Sequence, residues 1–219
     1  MPAFDLRQDA DALTDELVAW AAAYALGRCA DVDDARFDAF AARLFALQRS
    51  GIAPYGRYSA ARAALLGAAP GGQTAATSAN SPPLLPVTAL KSVAAQLPWV
   101  ASAQHVQFHT SGTVDGAPGT VRLASTRAYD AAVDAGFERA LLAPCGVDRP
   151  RRVLSLVPDQ TLRPHSSLGY MAQRLLQTID DGGGGQFLRR PVGDGVAFDD
   201  QGERAGLDIE GFVAALHAA

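Results

Sequence analysis

Lysine occurs once in this chain, as Lys91, and cysteine twice, as Cys29 and Cys145. Two thiols so far apart supply neither a metal-ligand spacing nor a disulfide framework. A cysteine-built metal centre and a stapled secreted scaffold are therefore excluded, and reduced thiols in a cytoplasmic protein are the simplest account. No basic cluster is present, and the net charge is −4, so a nucleic-acid footprint has no support. No apolar run is long enough to span a bilayer. The longest, residues 17–26, reads as a core helix. Met1-Pro2-Ala3-Phe4-Asp5 lacks the basic and then apolar pattern of a secretory leader.

What is present is a chain of 219 residues, 48% of them apolar, enough for one large domain or two small ones. Its first part, 1–66, reads as helical. Leu13, Leu17, Trp20 and Tyr24 recur at helical spacing, and Gly27 is placed to end that helix. Asp33 or Asp34 can cap a second helix with Phe37, Phe40, Leu44 and Leu47 on one stripe, closed by Gly51 and Pro54. A shorter third helix is expected over 58–66. Residues 67–86 are Gly, Pro, Ser, Thr and Ala with little to bury, a connection.

The remainder, 87–219, reads as α/β. Strands are expected at 106–109 and 120–123. Thr126 can cap a helix bearing Tyr129, Val133, Phe137 and Ala140. The run 153–157 is apolar throughout, as in a strand covered on both faces. Ser166 or Ser167 opens a helix with Leu168, Met171, Leu175 and Ile179 inward, ended by the glycines 182–185. A short strand is expected near Phe187, and Asp208 caps a last amphipathic segment through Leu216. The expected fold class is α/β, with N-terminal helices followed by a mixed sheet flanked by helices.

One segment carries chemistry. Between the two strands at 106–109 and 120–123 stands Thr110-Ser111-Gly112-Thr113, running on to Gly116 and Pro118. Glycines let backbone N–H groups converge on an anion without a Cβ in the way. Ser and Thr hydroxyls donate to phosphate oxygens or join the shell of a bound Mg²⁺. The Walker-type loop is excluded, because its spacing and its Lys are absent. By residue type alone such a stretch is more often just a turn.

The ordered string resembles the phosphate loop of the adenylate-forming superfamily, roughly [ST]-S-G-T-[TS]-G-x-P. Its neighbours narrow the resemblance. Phe45 to Gln48, Tyr55 and Tyr58, Leu85-Pro86-Val87 and Leu90-Lys91-Ser92 precede the loop. Leu154 to Pro158 and His165-Ser166-Ser167-Leu168-Gly169-Tyr170-Met171 follow it. This succession, from about Phe37 onward, looks like the acyl-protein synthetase family, the long-chain-fatty-acid–luciferin-component ligases.

The resemblance implies part of the large N-terminal domain of such enzymes, with ATP and Mg²⁺ as cofactors. It implies activation of a fatty carboxylic acid as an acyl-adenylate, followed by transfer to a thiol. By position, Thr110, Ser111, Gly112 and Thr113 would wrap the β- and γ-phosphates, and Gly116 would supply a later flexible point. The stretch at His165, Ser166 and Ser167 would lie near the acyl or nucleotide pocket, and Lys91 matches a Phe-Lys-Ser/Thr position. The implied partners are an acyl substrate and a carrier or acyl-transfer protein.

The family pattern is broken at Asp115, where a Gly is usual: either the loop is one residue longer, or a carboxylate sits near the phosphates and repels ATP unless a metal intervenes. Gly119 or Thr120 stands where many superfamily members carry Lys. Family members also continue well past the equivalent of residue 219, with the adenine motif, an acidic ribose ligand and a small domain holding a catalytic Lys. The expectation is thus one incomplete adenylate-forming domain. An apolar face left uncovered there would favour homo- or hetero-oligomers. The alternative is a non-catalytic shortened relative that serves as a partner subunit or carrier-protein binding module. A relative of the phenylacetate-CoA ligases is a further option.

Other residues have simpler readings beside functional ones. His165 next to Ser166 suggests a base and nucleophile, but a serine cap explains the pair. His109 can touch a phosphate or merely end a strand, and Lys91 can contact an anion or stand in solvent. Cys145 is better read as an incidental thiol than as an acyl acceptor.

Overall fold

The computed structural model describes residues 5–28, 33–67, 83–84, 105–109, 119–145, 151–189, 197–198 and 204–218. The architecture is mixed α/β, with six α-helices among the described residues. The chain divides into two compact units, Met1–Ala131 and Ala132–Ala219.

The first unit opens with α1, Leu6–Ala25, whose N-terminus is capped by the Asp5 carboxylate accepting from the N–H groups of Arg7 and Gln8. Gly27 ends it at φ 76°, donating to the Tyr24 carbonyl at 3.0 Å. A left-handed residue here suits glycine, which has no Cβ to clash. Helix α2, Asp34–Gly51, is capped by Asp33 rather than Asp34, at 2.7 Å from the Arg36 N–H. Leu13, Phe40 and Leu47 form the buried cluster, with Leu6, Ala10, Trp20 and Leu44 packed against it. The Trp20 and Phe40 rings meet at 4.8 Å, worth about 1 kcal/mol beyond their burial. Phe37, expected on the same stripe, is 56% exposed.

Helix α3, Ala53–Gly67, begins earlier than the spacing suggests, and Pro54 sits in its first turn, where the missing N–H costs nothing. Gly56 lies so near the preceding helix that a Cβ would meet the Arg49 carbonyl at 2.6 Å. Tyr55 and Tyr58 face the connection that follows: their hydroxyls donate to the carbonyls of Pro83 at 2.9 Å and Leu84 at 3.1 Å. Burial raises the Tyr55 hydroxyl above its ordinary pKa, which keeps it a donor. Apart from Gly67, Pro83 and Leu84, the 67–86 connection lies outside the described residues.

Strands β1, Val106–His109, and β2, Thr120–Leu123, pair antiparallel, with Val106 opposite Leu123 and His109 opposite Thr120. Phe108 is buried and its ring lies 5.4 Å from that of Tyr129. Tyr129 belongs to α4, Arg127–Phe137, in which the division between the units falls. The Thr126 hydroxyl donates to the Asp130 carboxylate at 2.9 Å at the start of that helix.

In the second unit a π turn, Glu138–Leu142, and a 3₁₀ turn, Ala143–Cys145, follow α4. The sheet has the order β3-β4-β6-β5, made of Leu154–Pro158, Gly185–Arg189, Arg204–Leu207 and, as β5, Ala197–Phe198. Strands β3 and β4 run parallel, while β4 with β6 and β6 with β5 are antiparallel. The sheet is therefore mixed. Helix α5, Ser167–Thr178, connects the parallel pair, as such a pair requires. The apolar run of β3 is not covered on both sides, since Leu156 is 50% exposed. A mixed sheet with one face partly open leaves that position to solvent.

Gly169 allows α5 to approach β3: a Cβ there would meet the Pro158 carbonyl at 2.8 Å. Helix α6, Ile209–His217, is capped by Asp208, which accepts from the Gly211 N–H at 2.8 Å. Phe212 packs edge-on against Phe187 of β4 at 5.3 Å.

The turn from α5 to β4 is organised by one carboxylate. Asp180 accepts from the N–H groups of Val153 and Gly182 at 2.8 Å each and of Gly184 at 3.0 Å. Gly182 has φ 100°, and a Cβ on Gly184 would collide with the Asp180 carboxylate and the Val153 backbone. Burial alone would raise the Asp180 carboxyl, but the three N–H donors and the Arg152 charge outweigh it and hold the group below the ordinary carboxylate value. A carboxyl depressed in the fold contributes stability above its unfolded pKa of about 3.9, and that stability is lost as pH falls through the folded value. Asp180→Asn is expected to unfold at lower denaturant than wild type at pH 7, with the gap closing as pH drops from about 5 to below 3. A gap that stays constant over that range would remove the ionised cap from the account.

Candidate functional site

Residues 110–118 leave the end of β1 and return at the start of β2. The last registered pair, His109 with Thr120, fixes the two ends of this connection at the spacing of adjacent strands. A hairpin normally needs only two to five loop residues, so this connection is longer than closing the pair requires. Thr110, Ser111, Gly112, Thr113 and Gly116 themselves lie outside the described residues, as does Lys91.

The hairpin beneath the loop has two unlike faces. Side chains alternate along a strand, and registered partners share a side. Phe108 and its partner Val121 take the side that meets Tyr129. On the other side stand His105, Gln107 and His109 from β1 and its preceding residue, with Thr120 and Arg122 from β2, where Gln107 pairs with Arg122. Gln107 Nε2 lies 2.9 Å from His109 Nε2, which confirms that these two share the face.

All five polar residues are half-buried. His105 Nδ1 and Arg122 Nε are shielded from solvent without a hydrogen-bond partner. Leaving such groups unsatisfied costs about 1–3 kcal/mol each. His109 was legible from its place at the strand end. His105, Gln107 and Arg122 were not singled out, although the alternation His-Val-Gln-Phe-His against Thr-Val-Arg-Leu carries the signal.

The polar face of the hairpin thus carries two imidazoles, an amide, a hydroxyl and a guanidinium. Among the described residues no cluster of three or more His, Cys, Asp or Glu could hold a metal ion.

The second unit holds the other named residues. His165 is exposed in the turn before α5, and Ser167 is the first residue of that helix. Ser166 is its N-cap, accepting from the Gly169 N–H at 3.0 Å. The approach to Ser166 is ordered by Asp159, whose Oδ1 accepts from the Thr161 N–H at 3.0 Å, the Thr161 hydroxyl at 2.6 Å and the Leu162 N–H at 2.9 Å. Cys145 closes the 3₁₀ turn.

No protein-family model, no curated protein and no solved structure matches this chain. Among the described residues no helix is long and apolar enough to cross a membrane.

The Ser166 geometry is that of a cap, so its oxygen is engaged by the backbone. Ser166→Ala is expected to lower stability by about 1 kcal/mol in denaturant melts, and Ser166→Asp, which keeps an acceptor at that position, to restore most of it. An alanine variant as stable as wild type would show that the hydroxyl is not acting as a cap.

Proposed function

We propose that the chain is an ATP-dependent acyl-activating protein of the acyl-protein synthetase kind, or the N-terminal part of one. The observation that supports this reading is the string Thr110-Ser111-Gly112-Thr113 in a long connection whose ends meet at the His109–Thr120 pair. In the reaction, a carboxylate oxygen of a fatty acid bonds to the α-phosphorus of ATP while the bond to pyrophosphate breaks. The thiol sulfur of a carrier or acyl-transfer protein then bonds to the acyl carbon as the bond to AMP breaks, AMP leaving and the thiol proton passing to solvent. The loop donors would hold Mg²⁺ with the phosphates, and the metal would supply charge neutralisation for the phosphoryl oxygens.

ATP·Mg²⁺ titrated calorimetrically into the chain is expected to bind, with affinity falling roughly ten- to a hundredfold in Ser111→Ala, as for one lost hydrogen bond to a charged group. No heat from either ATP·Mg²⁺ or a non-hydrolysable acyl-sulfamoyl adenosine would end the nucleotide reading for this chain.

A second reading is favoured by α6. Ile209, Val213 and Leu216 recur at helical spacing and are all exposed, along the border of the face on which Phe212 meets Phe187. Such a stripe suits a partner subunit or carrier-binding module, or a second copy of the chain. Light scattering is expected to give a mass above the monomer that rises with concentration, and Val213→Glu to return it to monomer. A wild type that stays monomeric at every concentration counts against self-association.

A further inference from the structure

Tyr55 and Tyr58, one turn apart on α3, hold another segment of this chain by its backbone. Their rings stack at 6.4 Å, and their hydroxyls donate to two successive carbonyls, Pro83 at 2.9 Å and Leu84 at 3.1 Å. Both tyrosines are set by their own surroundings. Phe45 meets Tyr55 edge-on at 5.9 Å, and the buried Ser59 hydroxyl donates to the Tyr55 carbonyl at 2.8 Å. Pro83 and Leu84 lie outside any helix or strand, within the run Pro82-Pro83-Leu84-Leu85-Pro86. Such runs favour the polyproline conformation, whose carbonyls have no internal partner and which aromatic-lined surfaces recognise. The Leu84 side chain is 84% exposed, so the tyrosines grip backbone rather than that side chain.

The chain's own segment fills this face only in part. Arg62 and Leu65 continue the line of Tyr55 and Tyr58 at helical spacing, and Leu65 is 75% exposed. Pro83 lies at Tyr55 and Leu84 at Tyr58, so the segment runs in the direction of α3. From Tyr58 to Arg62 is about 6 Å along the helix axis, or about two residues of polyproline chain. The charged side chains of α3 are Arg57 and Arg62 alone, and among the described residues no carboxylate pairs with Arg62. Between Asp38 and Asp115 the sequence holds no acidic residue. The segment seated on the tyrosines therefore brings no counter-charge of its own.

We propose that this face of α3 docks a proline-containing extended segment of a partner protein, with a carboxylate about two residues beyond the position of Leu84, and that Pro83–Leu84 occupies the tyrosines until such a segment displaces it. The partner's backbone takes over the two hydroxyls, and its carboxylate meets Arg62. A second copy of the chain offers only the same neutral segment, which leaves Arg62 unmatched. The docking is independent of the nucleotide reading.

The test titrates two labelled peptides into the full chain: Ser-Pro-Pro-Leu-Leu-Pro, the sequence of residues 81–86, and the same peptide with Pro86→Glu. The acidic peptide is expected to bind roughly two- to fivefold more tightly, and Arg62→Gln to abolish that preference, as for one exposed ion pair. A chain carrying Pro82→Gly, Pro83→Gly and Pro86→Gly has a looser segment of its own and is expected to bind both peptides more than about threefold more tightly than wild type. In that chain, Tyr55→Phe with Tyr58→Phe keeps both rings but removes both donors, and is expected to weaken both peptides more than about threefold.

No saturable binding of either peptide to the triple-glycine chain overturns the docking face. Equal affinity with and without the two hydroxyls overturns the part given to the tyrosines. A preference for the acidic peptide that survives Arg62→Gln overturns the part given to Arg62. Preference for the neutral peptide overturns the acidic partner and makes a second copy the occupant. Arg62 is exposed, so its arm of the test stands even where the tyrosine variants fail to fold. None of these readouts involves ATP·Mg²⁺, so their failure leaves the nucleotide reading as it was.

Discussion

Backbone pairing between His109 and Thr120 fixes the two ends of the connection that joins β1 to β2. Closing ten intervening residues into one loop has an entropic cost that rises only slowly with length. The ladder from Val106–Leu123 to His109–Thr120 absorbs it, helped by Phe108 packed on Tyr129. The loop is therefore free to carry glycines and hydroxyls rather than residues chosen for folding. The same register decides which side chains share the face of Phe108 and which stand on the opposite one. Slip it by one residue and Phe108 would trade places with Gln107 and His109.

The second unit solves a different problem with the same economy of parts. Its parallel pair needs a crossover, and α5 can serve only if it lies close to β3 at one end and releases the chain to β4 at the other. Gly169 permits the first, lying against the Pro158 carbonyl. Asp180 and the glycines after it permit the second, by gathering three N–H groups onto one carboxylate. Ser166 is held in this scheme as the cap of α5. That is why the His165-Ser166 pair reads as architecture rather than as a nucleophile and its base: the serine oxygen is already accepting from the backbone.

Features set by local chemistry were legible in the residues alone. Caps at Asp33, Ser166 and Asp208, the left-handed stop at Gly27 and the alternating strands of the hairpin all follow from a few neighbouring side chains. Exposure was less legible, because a helical or apolar pattern marks a face without saying what will cover it. Phe37 and Leu156 fit their patterns and still stand in solvent. The pairing of Arg122 with Gln107 was not legible for a related reason, since register is not written in either strand by itself.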